Sequence, residues 1–171
     1  MPDAQLNKEA IEAHNRLRVK HGCGPLTYDA GLAQTAQTWA EKLSERGAMQ
    51  HSGSKVYGEN LAYRKSTGAA DMNGEEATDY WYSEIEQHNF DRNEFQMDSG
   101  HFTQVVWKDT THAGFGKAKS KDGHSVYVVG QYTPPGNVQG MFQTNVSIPG
   151  VKVVVGKSGS RFYLSGLAEC F

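Results

Sequence analysis

Phe115-Gly116-Lys117-Ala118 and Ser125-Val126-Tyr127-Val128-Val129-Gly130-Gln131-Tyr132 stand on either side of Lys121-Asp122-Gly123, and this stretch decides the fold class. An Asp-Gly pair between two strand-forming runs is a strong short-range hairpin signal. Pro134-Pro135-Gly136 ends the second run, because neither proline can donate to a ladder. Upstream of Trp107 the dominant period is 3.6 rather than two. Leu6, Ala10, Ile11 and Leu17 predict a helix over Asp3 to His21, stopped by Gly22 and Gly24-Pro25. Leu32, Ala36, Trp39, Ala40 and Leu43 predict a second, from Asp29 to Arg46, capped by Gly47. Ala77, Trp81 and Ile85 predict a third, from Glu75 to His88, with the acidic first turn that the helix dipole prefers. Gly58 to Tyr63 is an extended candidate, and Arg64 to Gly74 a polar loop. Helices packed on a small antiparallel sheet make an α+β domain.

The 171 residues carry 17 Lys plus Arg against 19 Asp plus Glu, and 37% are hydrophobic, which fits one globular domain. A chain of this size buries roughly 70% of its unfolded surface, so any metal would be functional rather than a structural staple. A formal charge of -2 without a long Lys or Arg run argues against nucleic acid as a partner. Two cysteines, Cys23 and Cys170, are too sparse for a secreted disulfide framework and are read as thiols. No secretion signal is written into Met1-Pro2-Asp3-Ala4-Gln5-Leu6, and no run reaches the roughly 18 apolar residues of a spanning helix. Membrane association is therefore expected to be peripheral. Val151 to Val155 and Arg161 to Leu164 could pair across Gly156-Lys157-Ser158-Gly159-Ser160, or belong to a glycine-rich mobile tail.

Among seven histidines, His14 leans toward the buried stripe of the first helix and is expected to hydrogen-bond in the core. His21, His112 and His124 fall at a helix end or in turns, where solvent is expected. His88 stands four residues after Glu84, at the spacing of a local ion pair. His51 and His101 lie beside small residues, in His51-Ser52-Gly53 and Ser99-Gly100-His101, where a backbone can approach a ligand. Spacing alone does not bring His51, His101, Glu59 and Glu84 together. Trp39, Trp81 and Trp107 fall on apolar stripes and are expected in the core.

Gly100-His101-Phe102-Thr103-Gln104-Val105-Val106-Trp107-Lys108-Asp109-Thr110 resembles the first signature of the CAP superfamily, the cysteine-rich secretory, antigen 5 and pathogenesis-related proteins. His14-Asn15-Arg16-Leu17-Arg18 is similar to its His-Asn-x-x-Arg motif, and Gly58-Glu59-Asn60-Leu61 to its Gly-Glu-Asn motif. Val128 to Val138 resembles the second signature, with Gly130 where Cys is usual. With Trp81-Tyr82-Ser83-Glu84-Ile85 and a terse N-terminus, the chain looks closest to the Golgi-associated plant pathogenesis-related branch. Pro2 departs from the myristoylation site of that branch's vertebrate member.

The resemblance implies an α-β-α sandwich over residues 1–148, with 149–171 as a tail outside it. It implies a cleft holding His51 and His101 as metal ligands beside the carboxylates of Glu59 and Glu84, and a divalent ion such as Zn²⁺ as cofactor. It further implies a non-enzymatic binding protein that engages lipid, sterol or protein partners at a peripheral membrane, and that can form a homodimer. No catalytic residue is assigned. The alternative is a hydrolase in the same cleft, using either metal-bound water with a Glu base or a serine. The position matching that branch's proposed serine is Lys65, with Ser66 beside it. The expected location is the cytoplasm or the cytosolic face of Golgi membranes, with unconventional export as the alternative.

Overall fold

The structure, a computed structural model, describes residues 1–150, 152–155 and 161–164. In chain order the elements are α1 (Ala4–Lys20), β1 (Thr27–Tyr28), α2 (Ala30–Arg46), β2 (Gly58–Lys65), α3 (Gly74–Tyr82), α4 (Gly100–Val105), β3 (His112–Lys119), β4 (Ser125–Thr133), α5 (Phe142–Asn145), β5 (Lys152–Val155) and β6 (Arg161–Leu164). Each long helix starts on a side-chain oxygen: Asp3 accepts from the Leu6 N–H, Asp29 from Leu32, and Asn73 forms a capping box with Glu76. The Gly47 N–H closes α2 on the Leu43 carbonyl, as expected of that glycine.

The main sheet runs β1-β3-β4-β2. The expected hairpin is β3–β4, antiparallel around Asp122-Gly123, and β2 adds antiparallel to β4 with Gly58 opposite Tyr132. One correction concerns β1, which joins parallel to β3. A two-residue strand has no period for a sequence to display.

Alternation along β4 builds two cores. Val126, Val128 and Tyr132 pack with Leu6, Ala10, Ala77, Trp81 and Phe102 on the face covered by α1, α3 and α4. Tyr127 and Val129 pack with Ala36, Ala40, Leu43 and Leu61 on the face covered by α2. The result is a helix-sheet-helix sandwich. The α2 layer lies so close that a Cβ on Gly114 would sit 2.1 Å from the Ala33 nitrogen, and one on Gly116 2.2 Å from that of Gln37. Only glycine at these two positions lets the helix rest on the strand.

Several expectations are corrected. The third helix stops at Tyr82 and tightens into a 3₁₀ turn over Ser83–Gln87, where the Ser83 hydroxyl bonds back to the Tyr80 carbonyl. The Arg64 to Gly74 loop gives its first two residues to β2 and buries Ala70 and Met72. Helix α4, six residues long, is too short to show a period. Trp81 and Trp107 are core, but Trp39 is only half-buried at the end of the sandwich, its indole N–H on the Gln50 carbonyl and Arg46 over its ring. His21, expected in solvent, is buried, with Nδ1 on the Ser147 carbonyl and Nε2 on the Tyr82 hydroxyl. β5 and β6 pair antiparallel in a sheet of their own, Lys152 opposite Leu164. Residues 151, 156–160 and 165–171, with Cys170 among them, lie outside the described residues. Cys23 is a free, buried thiol.

The His-Asn-x-x-Arg segment is structural throughout. His14 donates from Nδ1 to the Ala10 carbonyl, so its Nε2 accepts from the Tyr132 hydroxyl. Burial pulls its pKa down to about 3, which keeps it neutral. Asn15 exchanges two hydrogen bonds with the backbone of Leu26. Arg18, 1% exposed, spreads its guanidinium over the carbonyls of Gly24, Val105, Trp107 and Thr110 at 2.8 to 3.0 Å. A lysine ammonium cannot reproduce that planar fork. Replacing Arg18→Lys is expected to strand buried carbonyls and lower unfolding stability by about 3 kcal/mol. Urea denaturation with an unchanged slope checks this, and a variant within experimental error of the parent would refute it.

Candidate functional site

Glu59 and His51 are brought together by β2 and the segment after α2. The period of two turns Glu59 toward the α2 face, where one carboxylate oxygen accepts from His51 Nδ1 at 2.9 Å and from the Ser52 N–H at 2.8 Å. The other accepts from Gln131 Nε2 at 3.2 Å. The Glu59 side chain is 7% exposed, whereas that of His51 is 61% exposed. Burial alone would push the Glu59 carboxyl up, but the bonds from His51, Ser52 and Gln131 outweigh it and hold the pKa below the usual glutamate range.

Glu84 and His101 form the matching pair on the opposite layer. The 3₁₀ turn after α3 aims Glu84 at the start of α4, where Oε2 accepts from the backbone N–H groups of His101 and Phe102. These are two of the helix's orphan amides. The other oxygen, Oε1, takes His101 Nδ1 at 2.6 Å. Asn60, on the opposite face of β2 from Glu59, donates to the His101 carbonyl and fixes the residue from behind. His88 does not join Glu84 as its spacing suggests; its Nδ1 meets the Ser99 hydroxyl at 2.8 Å, and its ring packs on Phe90 and Phe102.

His51 and His101 line one cavity of about 430 Å³, with Met49, Gln50, Leu61, Tyr63 and Tyr80. The two carboxylates stand behind the rings rather than in its wall. Each imidazole gives Nδ1–H to a carboxylate, which in the neutral ring leaves the lone pair on Nε2, and neither Nε2 has a hydrogen-bond partner among the described residues. A carboxylate behind a histidine is how metal-ligating imidazoles are oriented. Two imidazole nitrogens are donors of the kind that a borderline divalent ion takes. No group of three or more His, Cys, Asp or Glu side chains able to hold a metal ion occurs among the described residues.

Ser66, the serine weighed for acyl transfer, lines a different cavity, with Lys65, Thr67, Asp122 and His124. Its hydroxyl accepts from the Gly68 N–H, and His124 Nδ1 bonds the Gly68 carbonyl. The serine-dependent reading thus lacks that nucleophile in the cleft. Sequence reasoning missed Met49, Tyr80 and Gln131. Simple alternation places Tyr63 on the strand face of Glu59 and Leu61, and it lines the cavity.

The model of the CAP family, the cysteine-rich secretory protein family, matches residues 11–132. The chain is 41% identical over 150 residues to Golgi-associated plant pathogenesis-related protein 1 of Homo sapiens, covering 85% of this chain and 94% of the human protein. It is 39% identical over 145 residues to secreted protein RBT4 of Candida albicans, covering 81% of this chain but 37% of that longer protein. The solved structure of BmVAL-1 is similar at a TM-score of 0.71 and 20% identity, covering 92% of this chain and 88% of that one. The sandwich is therefore the fold of that structure.

Because the native pKa of Glu59 is depressed, its stabilising contribution is complete above the unfolded value and is lost as pH falls through the native one. Replacing Glu59→Gln is expected to lower stability by about 1 kcal/mol at neutral pH. The gap from the parent should close as pH falls below about 4.5, the ordinary glutamate value. Thermal unfolding across pH 3 to 7 reads this out, on the order of the range where carboxylates titrate; a pH-independent gap would contradict it.

Proposed function

The chain belongs to the cysteine-rich secretory protein (CAP) family, and from that premise we propose that it is a non-enzymatic binding protein whose cleft takes a divalent ion, Zn²⁺ foremost, on Nε2 of His51 and His101. The observation that carries this reading is the pairing itself: two imidazoles in one cavity, each with its other nitrogen fixed by a carboxylate. When bound, the ion would supply a Lewis-acidic cross-link between the two layers. His51 rides on the α2 side and His101 at the head of α4, while Glu59 and Glu84 hold the rings in one tautomer and one orientation. Among the described residues, no serine, threonine, cysteine or lysine lines this cavity.

The lipid side of the reading is supported by a second, mostly apolar cavity of about 370 Å³ beside α1, lined by Ala4, Asn7, Lys8, Ile11, Glu12 and Tyr28. It suits an acyl chain or a sterol ring edge. Among the described residues no helix is long and apolar enough to cross a membrane, and the attachment proposed is peripheral. A location on Golgi membranes is supported by the name of the human relative, and export by that of the Candida relative.

Calorimetric titration with ZnCl₂ tests the metal site. The parent is expected to take one ion, and His51→Ala or His101→Ala to abolish the heat. Glu84→Gln should weaken binding roughly 10- to 100-fold, as loss of an outer-shell partner does. Unchanged affinity in the double histidine variant would end the reading. A fluorescent fatty acid tests the groove: Ile11→Arg should abolish its binding and the histidine variants should leave it intact. Retention of the probe by Ile11→Arg would reject the groove as its site.

A further inference from the structure

Gln131 is a polar side chain in an apolar place. It stands on the α2 face of β4 beyond Val129 and is 0% exposed. A buried amide costs stability unless both its ends are bonded, and an apolar residue would serve packing better. Here both ends are bonded: Nε2 donates to Glu59 Oε2 at 3.2 Å, and Oε1 accepts from the Thr35 hydroxyl of α2. Glu59 and Gln131 stand directly opposite each other in the β2–β4 ladder, so strand register itself sets the pair.

The donors and acceptors give this chain of bonds one direction. A carboxylate only accepts, so the amide must turn its NH₂ group to Glu59 and its oxygen away. The reverse orientation would set two acceptors face to face. Thr35, whose hydroxyl can donate, meets the amide oxygen on the far side. With Oε2 held by Gln131, Glu59 offers Oε1 to the Ser52 N–H at 2.8 Å and to His51 Nδ1 at 2.9 Å. The neutral His51 ring then carries its proton on Nδ1 and its lone pair on Nε2. That ring depends on support from behind, because its side chain is 61% exposed and Glu59 is its one hydrogen-bond partner among the described residues. His101 takes its orientation from Glu84, which bonds neither Gln131 nor Thr35 among the described residues.

We propose that Gln131 is the positioning residue of the His51 half of the cleft: locked by Thr35, it holds Glu59 so that His51 presents Nε2 to the cavity. The effect on ion affinity rests on the metal reading above. The ring orientation does not, since every group in the chain of bonds belongs to the protein.

The test uses the full chain with ¹⁵N in its histidine rings. At about pH 8, where an ordinary imidazole is neutral, the ring-nitrogen shifts report which nitrogen carries the proton. In EDTA the parent is expected to show Nδ1–H at both His51 and His101. Gln131→Met, similar in size but without the amide, should move His51 toward the Nε2–H form and leave His101 in place. Titration with ZnCl₂ should show affinity weakened about tenfold, the lower end for an outer-shell partner. In a Glu59→Ala background the same substitution should change neither reading, because its effect passes through Glu59. If Gln131→Met does not fold, Thr35→Val, at an exposed position of α2, decides in its stead: movement of His51 alone supports the proposal and an unmoved His51 overturns it. Unchanged His51 signals in folded Gln131→Met, an equal displacement of His101, or an undiminished effect in the Glu59→Ala background would each overturn it. A His51 shift in EDTA without any zinc titration would leave the positioning standing and remove the metal reading; zinc binding with Gln131→Met indistinguishable from the parent would do the reverse.

Discussion

A buried guanidinium with no carboxylate beside it among the described residues is the constraint on which the rest of the domain depends. Arg18 is satisfied by backbone carbonyls alone, from the turn after α1, the end of α4 and the entry to β3. Burial lowers its pKa, yet it stays charged because a guanidinium scarcely deprotonates. The desolvation cost of such a charge is large, and only a full set of acceptors offsets it. Those acceptors exist only when three segments distant in sequence have all arrived, so the interaction rewards the assembled domain rather than any part of it.

The same clamp bears on the cleft. Helix α4 is six residues long, too short to be stable by itself. Glu84 holds its first amides, and Arg18 holds the carbonyls of Val105 and Trp107 at its far end. His101 is thereby fixed from both directions along the helix. On the other layer, His51 is exposed and rests on a single carboxylate, so the two imidazoles differ in how firmly they are held although they line one cavity.

The hairpin and the long helices were legible in the sequence, because period, caps and the Asp-Gly turn each have a local cause, whereas the α-β-α layering came from the resemblance. His14 was also legible, three residues from Ile11 and from Leu17 on an apolar stripe. What stayed hidden depended on long-range partners. His21 looked like a helix end in water, and only the arrival of Tyr82, Phe102 and Ser147 buries it. Glu84 and His88 suggested a local pair; the tightened turn after Tyr82 breaks the helical register that pair needs and sends Glu84 to His101 instead. The two His–carboxylate pairs came from resemblance, since nothing local ties residue 51 to 59 or 84 to 101.

Neighbouring residues of β2 serve opposite layers, Glu59 supporting His51 and Asn60 supporting His101. Sliding this strand by a single position would exchange acid and amide between the two faces, burying a carboxylate where a carbonyl waits and leaving His51 without its acceptor. Strand registration and cleft chemistry are consequently one property of the polypeptide: an insertion of one residue between positions 52 and 58 could be absorbed by the loop, whereas the same insertion between 58 and 62 would dismantle the cleft outright.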